Sequence, residues 1–149
     1  RNLSVKSNIL GVAERNFLEK EDLINFYQNT IKEFGLESIE DSMGYVLSGG
    51  QRRKVEIARC LASKPKLILL DEPFAGIDPL AIEDIKNVLK SLADKGICIL
   101  ITDHNLRETI DICNYSIVIK DGSILDKGEK DYLINSSLIK EEYFGTVFD

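Results

Sequence analysis

The residues best suited to chemistry begin with LSGGQ at positions 47–51, at the start of a predicted helix. Two glycines let the backbone approach a ligand closely, and the first amides of a helix have no acceptor within it. Together with the Ser48 hydroxyl, these amides predict a site for an anion such as a phosphate. A Ser-capped helix with a flexible lead-in is the structural alternative for the same residues.

A pair of adjacent carboxylates, Asp71 and Glu72, follows the apolar run LILL at 67–70. Charged groups at the end of a buried strand are costly unless something pairs with them. That end of an open α/β sheet is also where ligands bind. We expect Asp71 to hold Mg²⁺, usually through water, while Glu72 polarises an attacking water. An acidic pair that simply opens a loop is the alternative.

Two further positions extend the set, Asp78 before Pro79 and the sole histidine, His104. Gly76 permits a tight turn, and Asp78 with Pro79 can cap and start a helix, which is a sufficient structural role. His104 follows a predicted strand, where an imidazole can donate to a phosphate or hold a water, although a lone histidine is more often structural. The order and spacing of these four features have no structural explanation as a set.

The elements that position these residues are predicted from apolar periodicity. Helices are predicted at 4–13, 19–34, 36–41, 48–63, 79–93 and 105–113, and two short ones within 131–144. The continuously apolar runs 66–70 and 97–102 predict parallel strands buried on both faces. Strands at 116–120 and 123–126 flank Asp121-Gly122, a hairpin signal. The fold class is therefore α/β, a helical lobe followed by the latter part of a mainly parallel sheet.

Composition limits the classes of partner. The 149 residues carry a net charge of −6, which argues against nucleic acid because binding its phosphates needs concentrated Lys and Arg. No apolar run approaches the roughly 20 residues of a membrane-spanning helix, so we expect no direct membrane insertion. Cys60, Cys98 and Cys113 show no CxxC spacing, which favours reduced thiols in a cytosolic core.

With these motifs in this order, the sequence resembles the nucleotide-binding domains of ABC transporters, which have a P-loop NTPase-like fold. In that family LSGGQ is the signature loop, residues 67–73 match Walker B, and residues 74–79 match the D-loop. The resemblance implies that ATP bound to a second copy of the subunit is contacted by Ser48, Gly49, Gly50 and Gln51. It further implies four single roles: Asp71 for Mg²⁺, Glu72 as general base, Asp78 as a link between the two sites, and His104 as the γ-phosphate sensor.

A closer resemblance is to the ATP-binding subunits of lipopolysaccharide exporters. It is carried by DSMG at 41–44, RRKVEIAR at 52–59, FAGIDP at 74–79, ITDHNLRET at 101–109 and the tail YFG at 143–145. It implies a Gram-negative source and two membrane permease subunits as partners at the cytoplasmic face of the inner membrane. Three alternatives stay open: a branched-chain amino-acid importer ATPase, a soluble non-transport ABC ATPase, and a binding module without catalysis.

The sequence departs from that family at the phosphate-gripping Walker A loop, G-x-x-x-x-G-K-[ST], which no segment matches. Gly44 and Gly49 have the glycine spacing, but Gly50 stands where the lysine belongs. We expect a C-terminal fragment that begins just after the Q-loop and lacks roughly 90 residues, a size within ordinary domain lengths.

Three segments are expected: a helical subdomain at 1–63, the second half of the catalytic core at 64–128, and a helical tail at 129–149. Without the phosphate cradle, we expect the chain alone neither to bind ATP tightly nor to hydrolyse it. Without the missing strands, we also expect exposed apolar surface along 67–70.

Overall fold

A computed structural model of the protein describes residues 2–144. They form two compact units, one up to Leu100 and one from Ile101 onward. The predicted boundaries after residues 63 and 128 stay predictions. Arg1 and Gly145, the last residue of the tail motif, lie outside the described residues.

The first unit begins with a helical part: α1 (Val5–Ala13), α2 (Lys20–Glu33), a 3₁₀ turn (Glu37–Ile39) and α3 (Gly49–Leu61). These bounds confirm the predicted helices to within about two residues, because local signals set their ends. Ser4 caps α1 by accepting from the Ser7 amide, and Gly35 follows α2 with a φ of +60°.

Helix α4 (Pro79–Asp94) packs against α3, and α3 packs against α1. Its apolar stripe follows helical spacing, with buried side chains at Ile82, Ile85, Val88, Leu89 and Leu92. A polar contact joins α2 to α4, where Glu33 accepts hydrogen bonds from Ser91 at 2.7 Å and Lys95 at 2.5 Å. Burial raises the pKa of the Glu33 carboxyl, but these two donors outweigh it and leave that pKa below its ordinary value.

Strand β1 (Leu67–Asp71) pairs with β2 (Cys98–Thr102), and α4 connects them. The Cys98 amide at the start of β2 donates to the carbonyl of Lys66, just before β1, at 3.0 Å. Because both strands start at the same end of the ladder, they run parallel. This confirms the α/β class and the parallel pairing that the apolar runs predicted.

The prediction that both strands are buried on two faces is wrong for the described residues. Ile68 is only 2% exposed, whereas Leu67 is 50%, Leu69 67% and Leu100 57% exposed. Successive side chains of a strand point to opposite faces, so Leu67 and Leu69 share the uncovered face. Among residues 2–144, only the opposite face of β1, which carries Ile68, is covered. The predicted apolar exposure along 67–70 is therefore confirmed at Leu67 and Leu69. Cys98 is likewise exposed rather than in the core.

The second unit contains α5 (Leu106–Ile112), the strands β3 (Ser116–Lys120) and β4 (Ser123–Gly128), α6 (Lys130–Leu133), α7 (Ser137–Ile139) and a π-helical turn (Lys140–Phe144). The hairpin turn has positive φ at Asp121 (49°) and Gly122 (75°), the I′ pattern that its sequence predicts. The core of this second unit consists of Ile110, Val118, Leu133 and Ile139.

Across the part of the chain that the structure describes, none of the helices has the length and hydropathy that crossing a membrane would require.

The two faces of β1 differ enough to be tested by paired substitutions in the 149-residue chain. Ile68→Ala should lower the free energy of unfolding by about 2–4 kcal/mol, because it empties a buried site. Leu69→Ala, at an exposed position, should change it by less than about 0.5 kcal/mol. Urea denaturation followed by circular dichroism measures both. Equal losses would show that the face carrying Leu69 is covered in solution.

Candidate functional site

The predicted signature residues form the capped start of α3. Ser48 is the N-cap residue, and its Oγ accepts from the Gln51 amide at 3.2 Å. In return, Gln51 Oε1 accepts from the Ser48 amide at 3.0 Å, which completes a capping box. The Ser-capped helix, first a structural alternative, is therefore present. It leaves the proton of the Ser48 hydroxyl available for donation, and Ser48 and Gly49 are exposed.

The glycines at 49 and 50 allow α3 to approach the segment before and within α4. A Cβ at position 50 would lie 2.5 Å from the Ala81 Cβ, and one at position 49 would lie 3.3 Å from the Gly76 carbonyl oxygen. Gly50 is buried, so packing within the chain explains the missing side chain there. Close approach of a ligand, the predicted reason for both glycines, remains a prediction, and exposed Gly49 is the residue that suits it.

The acidic pair lies at a sharp turn after β1. Asp71 ends the strand, and Glu72 follows with a φ of +45°, a left-handed conformation that costs a residue with a side chain roughly 1–2 kcal/mol. Both residues are exposed, whereas the next two, Pro73 and Phe74, are buried. The turn therefore presents two exposed carboxylates, and the two residues that follow them anchor it in the core. Such strain is typical of functional positions.

The Glu72 carbonyl is held by a residue of α3. Arg53 donates through Nη2 to the Glu72 oxygen at 3.2 Å, and through Nη1 to Glu56 Oε2 at 3.0 Å. Nineteen residues separate Arg53 from Glu72 in the chain. The basic stretch after LSGGQ was visible in the sequence, but nothing in it signalled this contact.

Asp78 caps α4. Its Oδ1 accepts from the Ala81 amide at 3.0 Å, and Pro79 is the first helical residue. Gly76, two residues earlier, has a φ of +68°. The structural role that the sequence offered for Asp78 is thus filled, and it places Asp78 between the acidic turn and the helix that contacts Gly50.

His104 belongs to the second unit and is 72% exposed. Its Nδ1 lies 3.7 Å from Oδ1 of Asp103, whose carboxylate is only 1% exposed. That same oxygen accepts from the Asn105 amide at 2.8 Å, and Asn105 in turn caps α5. Asp103 therefore fixes the loop that carries His104. Its place beside the histidine was the available signal, and sequence reasoning assigned it no role.

Within the first unit, the structure brings the signature residues and the segment 71–81 together through the contacts of α3. Among residues 2–144, no three His, Cys, Asp or Glu side chains lie close enough together to hold a metal ion. A magnesium ion on Asp71 would therefore need oxygen ligands from outside this set. The chemistry fits, because Mg²⁺ is typically bound by one or two carboxylates together with phosphates and waters.

Comparison with known proteins gives one family. The family model described as "ABC transporter" matches residues 1–75. The chain is 43% identical over 149 residues to the lipopolysaccharide export system ATP-binding protein LptB of Haemophilus influenzae. The matched region covers 99% of this chain and 62% of that protein. The chain thus spans about 62% of the length of this curated relative.

Solved structures agree with the fold. The ADP conformation of MJ1267, an ATP-binding cassette of an ABC transporter, matches with a TM-score of 0.77 at 28% identity, over 97% of this chain and 63% of that one. The protein cbiO1 from Clostridium perfringens, part of the transporter complex cbiONQ, matches with a TM-score of 0.83 at 27% identity, over 95% and 57%.

The close approach of α3 to α4 predicts a size-sensitive pair at positions 50 and 81. Gly50→Ala should lower the free energy of unfolding by about 1–3 kcal/mol through overpacking, and adding Ala81→Gly should restore most of the loss. Gly11→Ala in α1, where a Cβ meets nothing within 4 Å, is the control and should stabilise by about 0.5–1 kcal/mol. Chemical denaturation of these three variants and the unsubstituted chain tests this, and a Gly50→Ala variant with an unchanged free energy of unfolding would contradict it.

Proposed function

Because the chain belongs to the ABC transporter family, we propose that it supplies the signature, Walker B and D-loop parts of an ATP-hydrolysing subunit that powers lipopolysaccharide export. The observation that carries the proposal is the contact of the signature helix α3 with the acidic turn and the start of α4 inside one unit. Those are the segments that ATP hydrolysis by this family requires. The likeness to LptB, over 99% of the chain, supports the transported class.

The signature end of α3 suits a phosphate bound by another subunit. Gly49 is exposed, the Ser48 hydroxyl has its proton available for donation to a ligand, and the helix N-terminus carries partial positive charge. Ser48, Gly49, Gly50 and Gln51 would form this surface, with Gly50 and Gln51 acting through packing and the capping box. The partner is then a second copy of the subunit, and each copy completes the other's ATP site.

The acidic turn divides its work between neighbours. Glu72, exposed on a strained backbone, would accept the proton of the attacking water, while Asp71 would hold Mg²⁺ through water. The bound Mg²⁺ supplies charge neutralisation at the phosphates. Asp78 would link the two sites through the start of α4, and exposed His104 would donate to the γ-phosphate, with Asp103 orienting it.

The remaining ligands of ATP must come from residues other than these 149, because no Walker A loop is present in the sequence. In the full-length protein that contains this chain, a β- and γ-phosphate cradle would complete the site, and two permease subunits would hold the ATPase at the cytoplasmic face of the inner membrane. The apolar face of β1 and β2 is suited to an additional layer of that protein.

The 149-residue chain by itself should show no Mg²⁺-dependent ATPase activity above background. Phosphoryl transfer depends on positioning and on charge stabilisation by the phosphate cradle, and that cradle is absent from the sequence. Phosphate release by the purified chain measures this, with the full-length protein as the positive control. Activity that co-purifies with the chain through successive columns would contradict it.

In the full-length protein, Glu72→Gln should abolish turnover, by roughly a hundredfold or more, because the amide cannot accept the water's proton. ATP binding should persist, so the variant should accumulate as an ATP-bound dimer in size-exclusion chromatography. Glu37→Gln, which alters an exposed acid of the 3₁₀ turn instead, is the matched control and should keep most activity. Unchanged turnover in Glu72→Gln would remove Glu72 from the role of base.

A further inference from the structure

We propose that Arg53 is a positioning residue that holds Glu72 through its backbone and thereby couples the signature helix to the hydrolytic turn of the same chain. The inference rests on the proposed function, since it assigns a controller to the proposed base. It concerns a residue outside the set of nucleotide-contacting side chains proposed above.

The contact that carries the inference has good geometry on both sides of the guanidinium. Nη2 donates to the Glu72 carbonyl at 3.2 Å, and Nη1 donates to Glu56 at 3.0 Å. The Arg53 side chain is 26% exposed, so water competes with it only in part. Glu56, three residues along α3, holds the guanidinium in place, and Arg53 therefore reaches the turn as a directed donor rather than as a loose surface charge.

Glu72 needs such a restraint because of its backbone. A φ of +45° is unfavourable for a residue with a side chain, and the peptide can relax unless its surroundings hold it. Its carbonyl accepts from Arg53 and also, at 3.3 Å, from the Ala75 amide. Loss of the arginine removes the shorter of these two hydrogen bonds, so the carboxylate would sample orientations away from an attacking water.

The other end of the connection is the signature. Arg53 lies within two turns of the Ser48 cap on the same helix, and Gly50 packs against Ala81 at the start of α4. A displacement of the capped end of α3, such as closure on a partner's nucleotide, would also move Arg53, because both lie on the same helix. Occupation of one ATP site would therefore set the orientation of the base in the other.

The test uses three variants of the full-length protein. Arg53→Ala should lower kcat for ATP hydrolysis roughly tenfold while KM stays within about twofold, because the substrate still binds but the base is misplaced. Arg53→Lys, which keeps a donor but not the fork, should recover part of the loss. Lys54→Ala removes a different contact of α3, to Asp84 at 2.7 Å, and should leave kcat within about twofold.

Arg53→Ala is then combined with Glu72→Gln. If the arginine acts through Glu72, the double variant should hydrolyse ATP at the residual rate of Glu72→Gln alone, because the two effects are not additive. An additive further tenfold loss would overturn the inference, as would equal kcat losses in Arg53→Ala and Lys54→Ala. An active protein that loses turnover with Glu72→Gln but keeps it with Arg53→Ala would overturn this inference alone, whereas an inactive full-length protein would overturn the proposed function as well.

Discussion

The arrangement of the candidate site depends on the contact between α3 and α4, where Gly50 meets Ala81 with no room for a side chain. Side chains of ordinary size would hold two helices 8–10 Å apart, and a glycine facing an alanine permits a closer approach. That approach brings the capped end of α3 to the turn at Gly76 and places Arg53 within reach of Glu72. The signature, the acidic turn and the cap of α4 are therefore joined by direct contacts.

Features encoded locally could be predicted from the sequence. Ser48, Asp78 and Asn105 each accept a backbone hydrogen bond within three residues of themselves, and such caps act through neighbours in the chain. The hairpin at Asp121-Gly122 follows from the backbone freedom that those two positions require. Motif order alone was enough to name the family, and the match over residues 1–75 confirms it.

Features that join distant residues could not be predicted. The Arg53–Glu72 hydrogen bond spans 19 residues, and a basic residue on a helix face is equally compatible with solvent. The left-handed backbone of Glu72 has no sequence signal, because glycine and asparagine are the usual markers of that conformation. The prediction for the burial of β1 was wrong for a related reason. An apolar run predicts that both faces of a strand are covered, but it does not say which residues cover them.

The uncovered face of the parallel pair has a chemical consequence. Cys98 is the first residue of β2 and is exposed, as is Leu100 two residues along the strand, so both point to the same side of the sheet. The protein therefore carries a thiol on the uncovered apolar face of the sheet. The alkylation rate of the Cys98 sulfur, read separately from those of Cys60 and Cys113, distinguishes an open sheet from a covered one without a cysteine having to be introduced.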